Sequence, residues 1–283
     1  MPRKGVRQVL AGRRGRWIAG GVIVLSALLA LWAWADSKLK RVETDKTYRP
    51  DGTLWTEVEY GVFYSGRRLQ HGTERLYFEN GQVLHETQYE RGKEHGASRW
   101  YNDDGQMSTE THYVRGKRHG KYTKWYFDEQ KEAEGTYEDG LKVGIWREWH
   151  WGGDLASECT YQRGRIVGTK TWWDRGKKYR EDEYDEEGNI AHTVASYSMA
   201  GGRWYEGWYR KGKKHGTWTY WNPDGTFKAR GEWRNGEPWN GICQVTVQKT
   251  PASTATMWGE YKDGRLIQQL VGVGRELKPK PRE

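Results

Sequence analysis

Tyr89-Glu90-Arg91-Gly92-Lys93-Glu94-His95-Gly96 returns as Tyr113-Val114-Arg115-Gly116-Lys117-Arg118-His119-Gly120 and as Tyr209-Arg210-Lys211-Gly212-Lys213-Lys214-His215-Gly216. The closing glycines Gly72, Gly96, Gly120, Gly144 and Gly168 fall 24 residues apart, and Gly216 follows two periods later with His192 on the beat between. A fixed period of this size marks a repeat architecture.

With the closing glycine as position 0, position 5 is aromatic at Tyr77, Tyr101, Trp125, Trp149, Trp173, Tyr197 and Trp221. Position 17 is aromatic at Tyr89, Tyr113, Tyr137, Tyr161, Tyr209 and Trp233, and position 20 is glycine throughout. Positions 8 and 9 read Asn80-Gly81, Asp104-Gly105, Gly152-Gly153 and Asp224-Gly225. Asn-Gly and Asp-Gly signal hairpins, and a type I′ turn is expected there because both its central residues need positive φ. Each repeat is therefore read as one β-hairpin, with a second turn at position 20 leading to the next. The expected fold is all-β: an elongated antiparallel meander of about eight to nine such repeats, preceded by one N-terminal transmembrane helix.

This register places position 3 opposite position 14: Arg75 with Glu86, Arg99 with Glu110, and Arg147 with Glu158. Opposite charges across a ladder are worth roughly 0.2–1 kcal/mol each, so the pairs support the register. It also places the position-17 tyrosine over the position-0 glycine, whose missing side chain would leave room for the ring.

Composition agrees with a thin sheet. Only 35% of the 283 residues are hydrophobic, but 18 Trp and 18 Tyr supply large buried surfaces. The net charge of +9 is concentrated at the ends. Met1–Arg16 carries six bases and no acid, and Arg275–Glu283 carries four bases and two acids, leaving the body close to neutral. Nucleic acid is not expected as a partner, because phosphate neutralisation needs clustered bases.

Trp17–Ala35 contains no charge and is about long enough to cross a bilayer. The bases before it and Asp36 after it predict a cytoplasmic N-terminus and extracytoplasmic repeats. Ala33-Trp34-Ala35 also fits a signal-peptide cleavage site, in which case the body is secreted. The expected organisation is 1–16 basic n-region, 17–35 anchor or signal peptide, 36–49 linker, 50–264 repeat array, 265–274 capping strand and 275–283 disordered basic tail. Lys249–Thr254 reads as a longer loop, and Glu181–Glu187 as a charged edge.

The Tyr-x-x-Gly-(Lys/Arg)-x-His-Gly unit, with Gly-x-aromatic steps at Gly135-Thr136-Tyr137, Gly231-Glu232-Trp233 and Gly259-Glu260-Tyr261, resembles the MORN repeat. The spacing and the aromatic position 5 are similar to the bacterial variant in YwqK-family antitoxins. The resemblance covers Pro50–Gly264 and implies a hairpin array without catalysis that serves protein association, in some members with proposed lipid contact. The chain departs from the pattern at Val143 and Val167, which replace the position-23 histidine, and at His192.

Candidate chemistry is sparse. The histidines at position 23 (His71, His95, His119, His215) are read as turn-capping residues satisfied by backbone, since equivalent residues lie about 10 Å apart, too far to share a metal. The carboxylates Glu86, Glu110, Glu134, Glu158 and Glu206 form a ladder, read as a solvated strand face or an acidic partner-binding ridge. Acid/base catalysis would need environments that push two pKa values apart, and the repeats supply identical ones. No catalytic, cofactor or metal residue is assigned. The structural residues are Gly72, Gly96, Gly120, Gly144, Gly168 and Gly216 with the position-17 aromatics. The expected function is a membrane-anchored extracytoplasmic scaffold for an unknown protein partner. The alternatives are envelope-glycan binding, an antitoxin or immunity role, and anionic-lipid binding.

Overall fold

A computed structural model of the chain describes residues 28–196, 202–250, 253–273 and 276–280. It contains helix α1, described over 28–37, followed by strands, in two compact units, Met1–Gly96 and Ala97–Glu283.

In the first unit β1 (Leu39–Tyr48), β2 (Leu54–Phe63), β3 (Arg68–Tyr77) and β4 (Val83–Glu90) pair antiparallel in sequence order. β5 (Lys93–Tyr101) carries the chain into the second unit. There the strands are β6 (Met107–Val114), β7 (Lys117–Trp125), β8 (Lys131–Glu138), β9 (Leu141–Trp149), β10 (Leu155–Gln162), β11 (Arg165–Asp174) and β12 (Lys177–Tyr184). They continue as β13 (Ile190–Ser196), β14 (Arg203–Arg210), β15 (Lys213–Trp221), β16 (Phe227–Arg234), β17 (Glu237–Thr250), β18 (Ser253–Lys262), β19 (Arg265–Val273) and β20 (Glu276–Pro279). From β6 onward every strand pairs antiparallel with the next. The meander read from the sequence is the observed topology.

The register agrees as well. Arg75 pairs with Glu86 and Arg147 with Glu158, while Gly72, Gly120, Gly144 and Gly216 face Tyr89, Tyr137, Tyr161 and Trp233. The type I′ turn expected at positions 8 and 9 lies elsewhere, however. In most repeats it falls at positions 19 and 20, as at Arg91 and Gly92 with φ of 54° and 79°, while the Gly168 repeat places it at Arg175-Gly176 with φ of 49° and 72°. At Asn80-Gly81 only the glycine is at positive φ: Gly81 N–H donates to Phe78 O (3.1 Å) and Phe78 N–H to Gln82 O (2.8 Å). That is a type I turn followed by a glycine bulge, the usual solution for a three-residue loop. Asn80 accepts the N–H of Gln82 at 3.0 Å, a side-chain mimic of a turn bond.

The position-0 glycine has a different cause from the one its tyrosine partner suggested. Gly120 has φ of +102°, and the ladder slips around it: Thr111 pairs with Tyr122, but Tyr113 with Arg118. The same slip surrounds Gly216, where Gly207 pairs with Trp218 and Trp208 with His215. A β-bulge recurs around Gly72, Gly120, Gly144, Gly168 and Gly216, each glycine supplying its left-handed residue, whereas at His192 the ladder runs unbroken from Arg180↔Ala195 to Glu183↔His192. A side chain on Gly144 or Gly168 would meet nothing within 4 Å, so clearance for a ring does not explain those positions.

Several boundaries differ from expectation. The 36–49 segment is not a linker but includes β1, a polar strand at the edge of its unit. The supposed loop at Lys249–Thr254 is the tip of a long hairpin: Gln248 pairs with Thr254 and Thr250 with Ser253. The tail contributes β20, which pairs with β19 through Leu270↔Pro279 to Val273↔Glu276. Polar edge strands carry no alternating signal, which is why composition reads them as tails. No helix among the described residues is long and apolar enough to cross a membrane, and 17–27 of the expected span lies outside those residues.

Candidate functional site

The second unit buries its rings in two slabs built the same way. Trp146, 5% exposed, is stacked on Tyr122 (centroids 5.5 Å, 26°) and edged by Tyr137 (5.1 Å, 82°) and Tyr161 (5.9 Å, 71°). Trp218 is likewise stacked on Tyr205 (5.8 Å, 27°) and edged by Tyr209 (5.2 Å, 85°). Each indole N–H donates to a carbonyl beside the bulge, Trp146 to Thr136 O (3.3 Å) and Trp218 to Trp208 O (3.0 Å). A buried indole thereby finds the partner it requires. A lysine caps each ring: Lys142 Nζ lies 3.9 Å from the Trp146 centroid and Lys214 Nζ 4.0 Å from that of Trp218. Burial pushes Lys214 down to about 8. Attraction by the faces of Trp218 and Trp233 works against that shift.

The cysteines belong to these slabs. Cys243 takes the place of the tryptophan in its repeat, and its thiol lies 3.7 Å from Glu232 O, the carbonyl position that the indoles occupy elsewhere. Burial raises the Cys159 thiol and pushes Cys243 up to about 11. Both are free and inert by the rule that the thiolate is the reactive form.

The carboxylate ladder is a ladder of ion pairs. Arg75 Nε meets Glu86 at 2.8 Å, Arg99 Nε meets Glu110 at 2.9 Å and Arg147 Nε meets Glu158 at 2.6 Å. Glu134 is held by Lys131 (2.8 Å) and Arg147 (3.6 Å), and Lys131 accordingly lowers its pKa. Glu206 meets Arg203 (2.6 Å) and the ring of His192 (3.3 Å). Each of these carboxylates has a cation at its side, so the strand face alternates in sign.

His192 stands where the bulge glycine is missing and lies flat on Trp208, centroids 4.1 Å apart. Of the position-23 histidines, His119 Nδ1 accepts the Asp139 N–H at 3.4 Å, in keeping with a turn-capping role. Nδ1 of His71 and His215 is buried without a hydrogen-bond partner, and Nδ1 of His95 lies 3.3 Å from the Glu90 carboxylate. The capping reading therefore holds only in part.

The acidic run is not uniformly an edge. Asp182 is 0% exposed and accepts two bonds from Arg180 (3.0 and 2.7 Å) and one from the Thr193 hydroxyl. Sequence reasoning missed it because the Arg175-Gly176 turn is one residue short, which carries an acid to the inward-facing parity. The signal was present in that deletion.

At the α1 end, Asp36 is paired with Arg67 (3.0 Å) and Arg91 (3.5 Å) and accepts the Ser65 hydroxyl at 2.8 Å. Leu28, Leu29, Leu31, Trp32 and Trp34 are all more than half exposed on that helix.

The geometry defines a class: an antiparallel β-hairpin repeat protein held by aromatic slabs and glycine bulges. Within that class, residues 70–91 and 94–115 match the family model described as MORN repeat variant, so the chain carries MORN repeats there. Repeats of that family are generally non-catalytic interaction modules. The match describes the repeat and does not extend to an antitoxin. A comparison with curated proteins gives no match. Among solved structures, the chain is similar to one described as the Photorhabdus luminescens Tc holotoxin pore carrying the TccC3-D651A mutation. That likeness has 10% identity and a TM-score of 0.20, over 83% of this chain and 18% of that one.

Proposed function

We propose that the protein is a non-catalytic scaffold, tethered to a membrane through its apolar N-terminal segment, that presents a periodic strand face to a protein partner outside the cytoplasm. The observation that carries the reading is the exposed apolar surface of α1, clamped at its end by Asp36, Arg67 and Arg91. A helix that is apolar all round belongs in a buried or lipid setting. The strand face offers pre-paired charges at a regular interval, which suits recognition of an equally regular protein surface.

The test is alkaline extraction of membranes holding the full chain, beside a version that begins at Asp36. The full chain is expected in the pellet and the shortened one in the supernatant. Recovery of the full chain in the supernatant, still carrying residues 1–35, overturns the tether. Partner binding is tested by site-specific photo-crosslinking from Arg99 and Arg147. Adducts that vanish on charge reversal at Glu110 and Glu158 support the face as the binding surface, and unchanged adducts count against it.

A further inference from the structure

Phe127 and Trp151 are 68% and 69% exposed, the most exposed aromatic rings among the described residues. They stand at the second position of two corresponding hairpin turns, Phe127 in the type I turn between β7 and β8 and Trp151 in the turn between β9 and β10, where Gly152 at φ of 104° makes it type II. One repeat separates them, about 10 Å at two strand spacings. Fold stability does not demand aromatic residues there: the matching turns hold Glu79 and Asp103 instead.

The platform is stiffened from behind. Tyr126 is stacked on Trp151 (5.9 Å, 29°), and its hydroxyl donates to Trp149 O at 2.8 Å. His150 Nε2 lies 3.0 Å from Trp173 O, which fixes the next turn in the same way. The backing ring of Tyr126 holds Trp151 in place, so a ligand stacking on it pays little ordering cost. Beside the rings lie the acceptors Asp128, Glu129 and Asp154, all exposed.

We propose that this turn edge is a binding platform for a neutral, extended β-1,4-linked oligosaccharide. Pyranose rings present apolar C–H faces that stack on aromatic planes, and their hydroxyls donate to carboxylates. Two exposed rings one repeat apart match an extended chain in which every second sugar presents the same face. The three acids beside the rings disfavour insertion into an anionic bilayer and repel anionic polymers. The platform lies on the turns, apart from the charge-ladder face, so it does not depend on the partner reading above.

The experiment is calorimetric titration of the full chain in detergent with chitohexaose and, as a separate arm, cellohexaose. At least one arm is expected to saturate, and each monosaccharide to bind far more weakly. Trp151→Ala and Phe127→Ala are each expected to weaken the hexamer at least tenfold. Phe227→Ala, at another exposed ring, is expected to leave binding unchanged. Near-ultraviolet circular dichroism confirms that the variants keep the aromatic slabs. Absence of binding in both arms at millimolar sugar overturns the proposal, as does binding that survives Trp151→Ala.

Discussion

The indole of Trp146 occupies the space that a side chain on Gly135 would fill: a Cβ built on Gly135 falls 2.2 Å from two of its ring carbons. Trp218 stands in the same relation to Gly207, and Cys243 to Gly231. Gly135 is not at positive φ, so close approach alone calls for it. Gly135→Ala should therefore cost stability by overpacking, about 1–3 kcal/mol or more. Trp146→Leu in the same chain should recover part of that loss, because the smaller side chain vacates the methyl's position. Thermal melts of the two single variants and the double variant read the coupling directly. Additive losses would contradict the contact.

Glu129 holds the turn position that glycine holds at Gly81 and Gly105, with φ of 63°. A left-handed L-residue costs roughly 1–2 kcal/mol, and glycine gives back about half of that through its looser unfolded chain. Glu129→Gly should stabilise the protein by a net ~0.5–1 kcal/mol. Its effect is read as a raised melting temperature with unchanged cooperativity. A lowered one would mean that the carboxylate contributes something beyond the backbone.

Lys214 gives the slab a pH signature. Its folded value of about 8 lies below the ordinary lysine range, and burial is the first cause. Between about pH 8 and pH 10 the unfolded chain binds the extra proton at this lysine, so its contribution to stability rises with pH, by at most about 1.4 kcal/mol per unit. The buried thiols of Cys159 and Cys243, raised by burial, act in the opposite direction from about pH 9. Above that window the buried tyrosines, raised by the same burial, reverse the slope. Lys214→Met should make the slope of urea midpoints between pH 8 and 10 less positive than in the unaltered chain. An unchanged slope would assign it to another group.

Much of this architecture was legible because it is local. The beat, the turn sites and the Arg–Glu pairings follow from chirality and charge at fixed spacings, which a sequence displays openly. The two glycine roles were not separable, because a bulge and a close approach leave the same letter. Gly120 is fixed by its φ and Gly135 by its neighbour, and only coordinates distinguish them. The strands β1 and β20 were hidden because edges are polar by necessity, and alternation is lost where both faces meet water. The exposed rings at Phe127 and Trp151 were in plain view as letters, but single-layer sheets give no rule for which aromatics are covered.

The buried acid offers the sharpest energetic test. Asp182 is the sole anion in contact with the Arg180 guanidinium among the described residues, and that guanidinium is also held over the Trp172 ring at 4.9 Å. Asp182→Ala leaves a partly buried cation unpaired and should cost about 3–5 kcal/mol. Thr193→Val removes one hydrogen bond from the same carboxylate and should cost only about 1 kcal/mol. Replacing both charges, Arg180→Met with Asp182→Leu, should lose much less than Asp182→Ala alone, since neither charge remains to be desolvated. Denaturant midpoints for the four chains settle the order. If the double variant is the least stable of them, the pair contributes net stability and the desolvation argument fails at this site.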